Sequence, residues 1–262
     1  MNSNLFCRCT IVFMRANITR DEILNGNIIR GLIKLSLPLM LLNLINTLYG
    51  IVDTFFVGKI GELEVGAVSL VTPITNCGVA FATGLSVAAI AMISRALGKN
   101  DIEKANQITT HLVILSVVLG VLITSLSLLF NKALLNWLNT PKDIYKDTLS
   151  YFVIVSFDYT CLFLLTMFQA IRQSCGDSSS GVKLNIVASI LNGCLDPLFI
   201  FVFKMGIFGA GLATVLSKVI VVPFALSSLI TNRNSIYLSF KENKFSYRIM
   251  RRIILIAVPA SL

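Results

Sequence analysis

Hydrophobic positions in this chain come in long unbroken blocks, not in the alternating or single-stripe patterns of soluble strands and helices. Apolar runs cover 31–57, 66–93, 106–130, 145–171, 183–203 and 207–231. Each is long enough, as a helix, to cross a hydrocarbon core of about 30 Å. The breaks between them carry turn residues, such as Gly58 and Gly61, Gly98 to Asp101, Thr140-Pro141, Gly176 to Gly181, and Lys204 to Gly206. A last apolar block opens near 248 and runs to Leu262, too short to span. The pattern predicts an all-α integral membrane protein with six complete spans and the start of a seventh. A polar tail over 1–27 precedes the spans, and a polar segment over 232–247 follows the sixth.

Composition agrees with the lipid bilayer as solvent. Hydrophobic residues make up 55% of the chain and charged residues 13%, about half the charged share of a typical soluble domain. Mean hydropathy is +0.82. Such a chain lacks the polar residues to cover a water-exposed surface. The net charge of +9 is confined to the breaks and ends, with no basic stripe interleaved with aromatics, so nucleic acid is not an expected partner.

The basic residues also set the orientation. Lys59, Lys132, Lys142, Lys146 and Lys204 fall on one side of the six spans. The larger share falls on the other, including Arg30, Lys34, Arg95, Lys99, Lys104, Arg172, Lys183 and Arg248. Positive charge stays on the cytoplasmic side, which places the N-terminus and the 232–247 segment inside a cell (inner) membrane. The first 27 residues have no signal-peptide pattern, and the start codon is either Met1 or Met14. The six cysteines show no paired framework, and Cys7-Arg8-Cys9 is too short for a zinc site.

The start of the final block repeats the start of the first span. Arg30 precedes Pro38 by eight residues across an apolar stretch, and Arg251 precedes Pro259 by the same spacing. A second six-span half beginning here would enter the membrane the same way up, as in transporters with parallel repeats. The chain then reads as one lobe of a longer protein, truncated in helix seven.

Ionisable residues inside the spans are costly and mark candidate sites. Asp53 lies near the outer end of span one, and Asp196 about two turns short of the outer end of span five. Asn192 is one turn from Asp196 on the same face. Tyr151 and Thr214 fall one to two turns below the same surface, so all five share a depth in the outer half of the membrane. One polar site there could hold a proton on a carboxylate, or a sodium ion among carboxylate, Asn, Thr and Tyr oxygens. The competing expectation is that Asp53 merely caps its span and that Asn192 satisfies Asp196. Asp158, near mid-membrane, either belongs to this site or, as the favoured expectation, pairs with a polar neighbour. Asn43, Asn46, Asn76 and Gln169 are expected to hydrogen-bond between helices, and His111 to sit at the interface.

Several motifs then become recognisable in order. Pro38 followed by Val52-Asp53 and Phe56-Val57-Gly58 resembles the first helix of the multidrug and toxic compound extrusion (MATE) family. Gln169 to Gly176-Asp177 resembles the end of its fourth helix, Leu191-Asn192 to Asp196-Pro197 its fifth, and Met205-Gly206 to Ala213-Thr214 the start of its sixth. The resemblance runs from about residue 28 to 262. Gly181 departs from it, standing where a proline often follows the Gly-Asp turn.

The resemblance implies a twelve-helix, two-lobe antiporter that exports organic cations against protons or sodium. It assigns ion coupling to Asp53, Tyr151, Asn192, Asp196 and Thr214, and a helix bend to Pro38. The only cofactor it implies is the coupling ion, H+ or Na+. Most of the second lobe is missing from this chain. Two alternatives stand beside this reading: a lipid-linked oligosaccharide flippase of the same superfamily, and a half-length chain that does not transport. No His cluster, Ser–Lys pair or metal-ligand spacing suggests an enzyme.

Overall fold

A computed structural model describes residues 28–231 and 246–261. The tail over 1–27, with its two candidate start codons and Cys7 and Cys9, lies outside the described residues. So do 232–245 of the expected linker and Leu262. Among the described residues the chain is helical, with no strand.

The helices are α1 (Ile28–Gly58), α2 (Glu62–Gly98), α3 (Ile102–Trp137), α4 (Lys142–Ser156), α5 (Asp158–Ser174), α6 (Ser178–Pro197), α7 (Gly206–Thr231) and α8 (Tyr247–Ala260). A π-helical turn over Leu198–Val202 extends α6. Five helical segments are long and apolar enough to cross a membrane, and α4 with α5, bent by 40° at Phe157, make a sixth. Every expected span is therefore present. The break in the fourth was not expected, because its apolar run continues straight across it. Turns after α1, α3 and α6 gather at one rim of the bundle, and turns after α2 and α5 at the other. We call these the first and second rims.

Lipid tails are as apolar as leucine, so burial from water cannot drive spanning helices together; close packing and hydrogen bonds do. Helix α2 shows how. Its buried residues include Gly78, Ala82, Leu85, Ala89, Ile93 and Ala96, a seam at three- and four-residue spacing dominated by small side chains. Phe163, Met167 and Ile171 of α5 and Leu112 of α3 fill the space beside it. The outward faces stay apolar: Leu129 is 77% exposed and Trp137 79%, which suits lipid contact.

Helix α8 packs mainly against α2. A methyl group on Gly84 would stand 2.6 Å from the Ala257 carbonyl oxygen, so the absence of a side chain there allows the two backbones to approach. Ile253 is fully buried in the main core. His111 anchors the start of α8. It is buried at its place near the end of the third span. Its Nδ1 lies 2.7 Å from the Gln107 carbonyl, and its Nε2 accepts the Ser246 backbone N–H at 2.9 Å. Because Nε2 accepts, Nδ1 carries the proton and donates to Gln107. The reason sequence reading missed this is that the donor arrives from 135 positions away.

Of the four amides expected to bridge helices, Gln169 does so, accepting from Asn185 Nδ2 at 3.1 Å between α5 and α6. Asn43, Asn46 and Asn76 stand exposed instead. The first two lie on α1, whose other face has no helical neighbour among the described residues.

At the second rim, Asp177 caps α6. It accepts the Ser180 backbone N–H at 3.1 Å and the Ser179 and Ser180 hydroxyls, and pairs with Arg172 at 2.6 Å. Burial works to raise its pKa, but the Ser180 hydrogen bonds, the Arg172 guanidinium and Ser179 outweigh it and hold the carboxyl below its ordinary value. A depressed carboxyl contributes its stability above the unfolded-state pKa and loses it as the pH falls through the folded one. Asp177→Ala is expected to cost about 1–2 kcal/mol through the lost cap. In thermal unfolding in detergent, the gap between wild type and variant should narrow once the pH drops below the ordinary aspartate range.

Candidate functional site

Helix α1 contributes Tyr49 and Asp53, one turn apart and therefore on one face. They turn toward α2, α4, α5 and α7 and line a cavity of about 200 Å³ with Thr72, Tyr151, Asp158, Thr214 and Lys218. Asp53 is half-buried on this wall and does not simply cap the span end. The cavity lies in the half of the bundle nearer the first rim.

Glycine 211 makes the α4–α7 contact possible. A methyl group there would run into Ile154 and stand 3.3 Å from the Tyr151 ring. Without one, α7 closes on α4 and sets Thr214, one turn further along, beside Tyr151. At the small cluster of Val57, Ile200 and Ala210, α1 meets the π-helical turn and α7. Phe56 adds an edge contact with Phe201 at 6.3 Å between centroids. These contacts fix the end of α1 and hence the position of Asp53.

Behind the cavity wall, α6 presents Asn192 and Asp196. Asn192 Nδ2 donates to Thr214 Oγ1 at 3.2 Å, so it is not the partner of Asp196 that sequence spacing allowed. Asp196 is 0% exposed. Among the described residues, neither of its carboxylate oxygens has a hydrogen-bond partner, nor has Asn192 Oδ1. Asp196 is within electrostatic range of Asp53 and of Tyr151. Pro197 follows it directly. A proline offers no N–H to the preceding turn, and the chain relaxes there into the π-helical turn, a distortion often found beside functional residues.

All five residues selected by depth therefore converge: Asp53, Tyr151 and Thr214 on the cavity, Asn192 and Asp196 immediately behind it. Pro38 lies within the unbroken helical backbone of α1, about four turns from Asp53. Sequence reading did not select Tyr49 or Thr72, nor did it join the two charges deepest in the spans. Lys218 Nζ and Asp158 Oδ2 form an ion pair at 2.5 Å. Asp158 is the first residue of α5, so the pair ties the bend in the fourth span to α7. Spacing held a signal for it. Asp158 follows Tyr151 by seven positions and Lys218 follows Thr214 by four, so each lies on the face already chosen. Four cysteines, Cys77, Cys161, Cys175 and Cys194, are free thiols.

The profile of the MatE family matches residues 38–198, more than half of the chain. The chain belongs to the MatE family. It is 28% identical to the probable multidrug resistance protein YpnP of Bacillus subtilis over 79% of its own length and 47% of that protein. With the multidrug export protein MepA of Staphylococcus haemolyticus it shares 26% identity over 90% of its length and 53% of MepA. The solved structure of a MOP superfamily transporter from Pyrococcus furiosus superimposes with a TM-score of 0.87 at 27% identity, over 92% of this chain and 53% of that one. The chain thus spans about half the length of the relatives it matches, as a single lobe of a MATE transporter does.

Removing one member of a buried ion pair strands the other's charge and typically costs about 3–5 kcal/mol, whereas removing both together is far milder. Lys218→Met should therefore lower the thermal midpoint of the purified protein strongly. Asp158→Asn combined with Lys218→Met should recover most of the loss. Equal midpoints for the single and double variants would show that the pair is not the strut described here.

Proposed function

We propose that this lobe serves secondary active efflux of organic cations, driven by inward exchange of a proton or sodium ion. The observation that carries the reading is the unpartnered acceptor set of α6. Among the described residues, three oxygens, two from Asp196 and one from Asn192, are sealed from solvent without a donor. A buried carboxylate needs a compensating positive charge or hydrogen bonds, and a proton or small cation supplies that. Asp53 stands between this set and the cavity, and Tyr151 and Thr214 add oxygens around it.

Exchange follows from electrostatics. A cation on Asp53 and Asp196 weakens the hold of the cavity on an organic cation, and an organic cation in the cavity weakens the hold on the coupling ion. Mutual exclusion of this kind is a coupling free energy between two ligands, and it links the outward step of one to the inward step of the other. In this reading residues 28–231 act as one lobe, 232–247 as the connection, and 248–262 as the opening of the second lobe. The N-terminus is cytoplasmic and the cavity faces the outer half of the inner membrane. Pro38 supplies the bend by which α1 responds to the charge on Asp53. Because Lys218 is held by Asp158, the cavity wall keeps the net negative character that suits a cation better than the anionic headgroup of a flippase substrate.

Asp196→Asn keeps the shape of the side chain and removes its charge. In cells producing the intact two-lobe protein, this variant should lose ethidium efflux down to the level of cells without the transporter, with its amount in the membrane unchanged. Undiminished efflux at equal membrane content would overturn the assignment of Asp196.

A further inference from the structure

Helix α8 divides its side chains between two faces. Ile249, Ile253 and Ile256, at four- and three-residue spacing, turn inward and join the main core, with Ile253 at 0% exposure. The opposite face carries Arg248 and Arg251, then Leu255 and Val258, which are 62% and 52% exposed. Arg252 flanks the same face and is also exposed. Steps of three and four residues keep Arg248, Arg251, Leu255 and Val258 in one column. That column is basic at the second rim and apolar below it.

Further positive charge gathers around the start of α8. The helix begins where Ser246 meets His111 of α3, and it passes Gly84 of α2 at Ala257. Arg95 lies three turns beyond Gly84 on the same face of α2, and Lys104 lies two turns before His111 on the same face of α3. Both therefore stand on the sides of their helices that α8 approaches, and both are exposed. Of the acids in this neighbourhood, Asp101 caps α3 by accepting the Lys104 backbone N–H, and Asp177 pairs with Arg172. Glu103, in the first turn of α3, is left against Arg95, Lys99 and Lys104. Among the described residues no ion pair engages Arg248, Arg251 or Arg252, and a guanidinium does not shed its charge.

The preference of positive charge for one side of a membrane accounts for how many basic residues stand at this rim. It does not account for arginines without an acid set directly above an apolar strip on one helix face. Water alone would serve the guanidinium groups, but Leu255 and Val258 call for hydrocarbon. From Arg248 to Leu255 the helix rises about 10 Å, so one amphipathic molecule can meet both. A phospholipid has that form, and its phosphate matches the planar fork of arginine.

We propose that the outward face of α8 binds an anionic phospholipid. Arg248, Arg251 and Arg252 hold its phosphate, its acyl chains lie along Leu255 and Val258, and Arg95 and Lys104 add to the field at the headgroup. Bound there, the lipid ties the start of α8 to the turn between α2 and α3. A zwitterionic headgroup brings an ammonium into the same positive field and binds less well.

The test is lipid retention by the intact protein, read by native mass spectrometry from mixed micelles. The micelles hold equal amounts of phosphatidylglycerol and phosphatidylcholine with the same acyl chains. The wild type should retain phosphatidylglycerol preferentially. The preference should fall about fivefold for each arginine replaced by glutamine, the contribution of one basic residue near an anionic surface. In the triple variant Arg248→Gln, Arg251→Gln, Arg252→Gln it should disappear. Replacing Lys59, Lys132 and Lys142 of the first rim by glutamine should leave it unchanged. Equal retention of the two lipids by the wild type overturns the proposal, whether or not the variants fold. So does a preference that survives in the triple variant, or one that is lost equally in the first-rim variant. Displacement of the lipid by inorganic phosphate at equal concentration overturns the phospholipid as occupant and makes the arginines a site for a free anion.

Discussion

Taking a carboxylate out of water is costly unless a positive charge or hydrogen-bond donors meet it. Among the described residues three carboxylates lie inside the bundle, and the helices are arranged around three different answers to that cost. Asp158 is answered by Lys218 from another helix. Asp53 keeps access to a cavity. Asp196 is answered by nothing that the described chain supplies. The first answer is architectural, the second keeps the carboxylate open to the cavity, and the third leaves Asp196 buried without a donor among the described residues.

The same arrangement explains where the backbone departs from regular helix. The fourth span breaks at Phe157, immediately before Asp158, and the fifth loosens into a π-helical turn immediately after Asp196 and Pro197. Each irregularity is next to a buried charge. Breaks in spanning helices survive only where protein or a cavity satisfies the freed backbone groups. Tight contacts nearby supply the support: Gly211 against Tyr151, and the Val57, Ile200 and Ala210 cluster under the end of α1.

Elsewhere the fold uses ordinary membrane packing. Small residues on α2 bring helices together, and Gln169 of α5 accepts a hydrogen bond from Asn185 of α6. Helix α8 is held against this lobe by Ile253, Gly84 and the His111–Ser246 hydrogen bond. Most of α1, by contrast, stays exposed along its outer face, consistent with a helix at the edge of a single lobe.

The sequence by itself determined the spans, since block length against bilayer thickness is a local property that needs no tertiary information. It also determined which side chains were too polar to be filler, and their common depth, because rise per residue along a helix is constant. The order of motifs around Asp53, Gly176-Asp177, Asn192-Asp196 and Gly206 was enough to indicate the family. Only the tertiary structure decided which of those residues meet. Rotation of each helix about its axis faced Asn192 toward Thr214, left Asn43 and Asn46 outside, and buried His111 beneath Ser246. It also joined Asp158 to Lys218 across sixty positions. Partners of that kind are invisible along the chain because a helix fixes the spacing of its own side chains and says nothing about the neighbour that will face them.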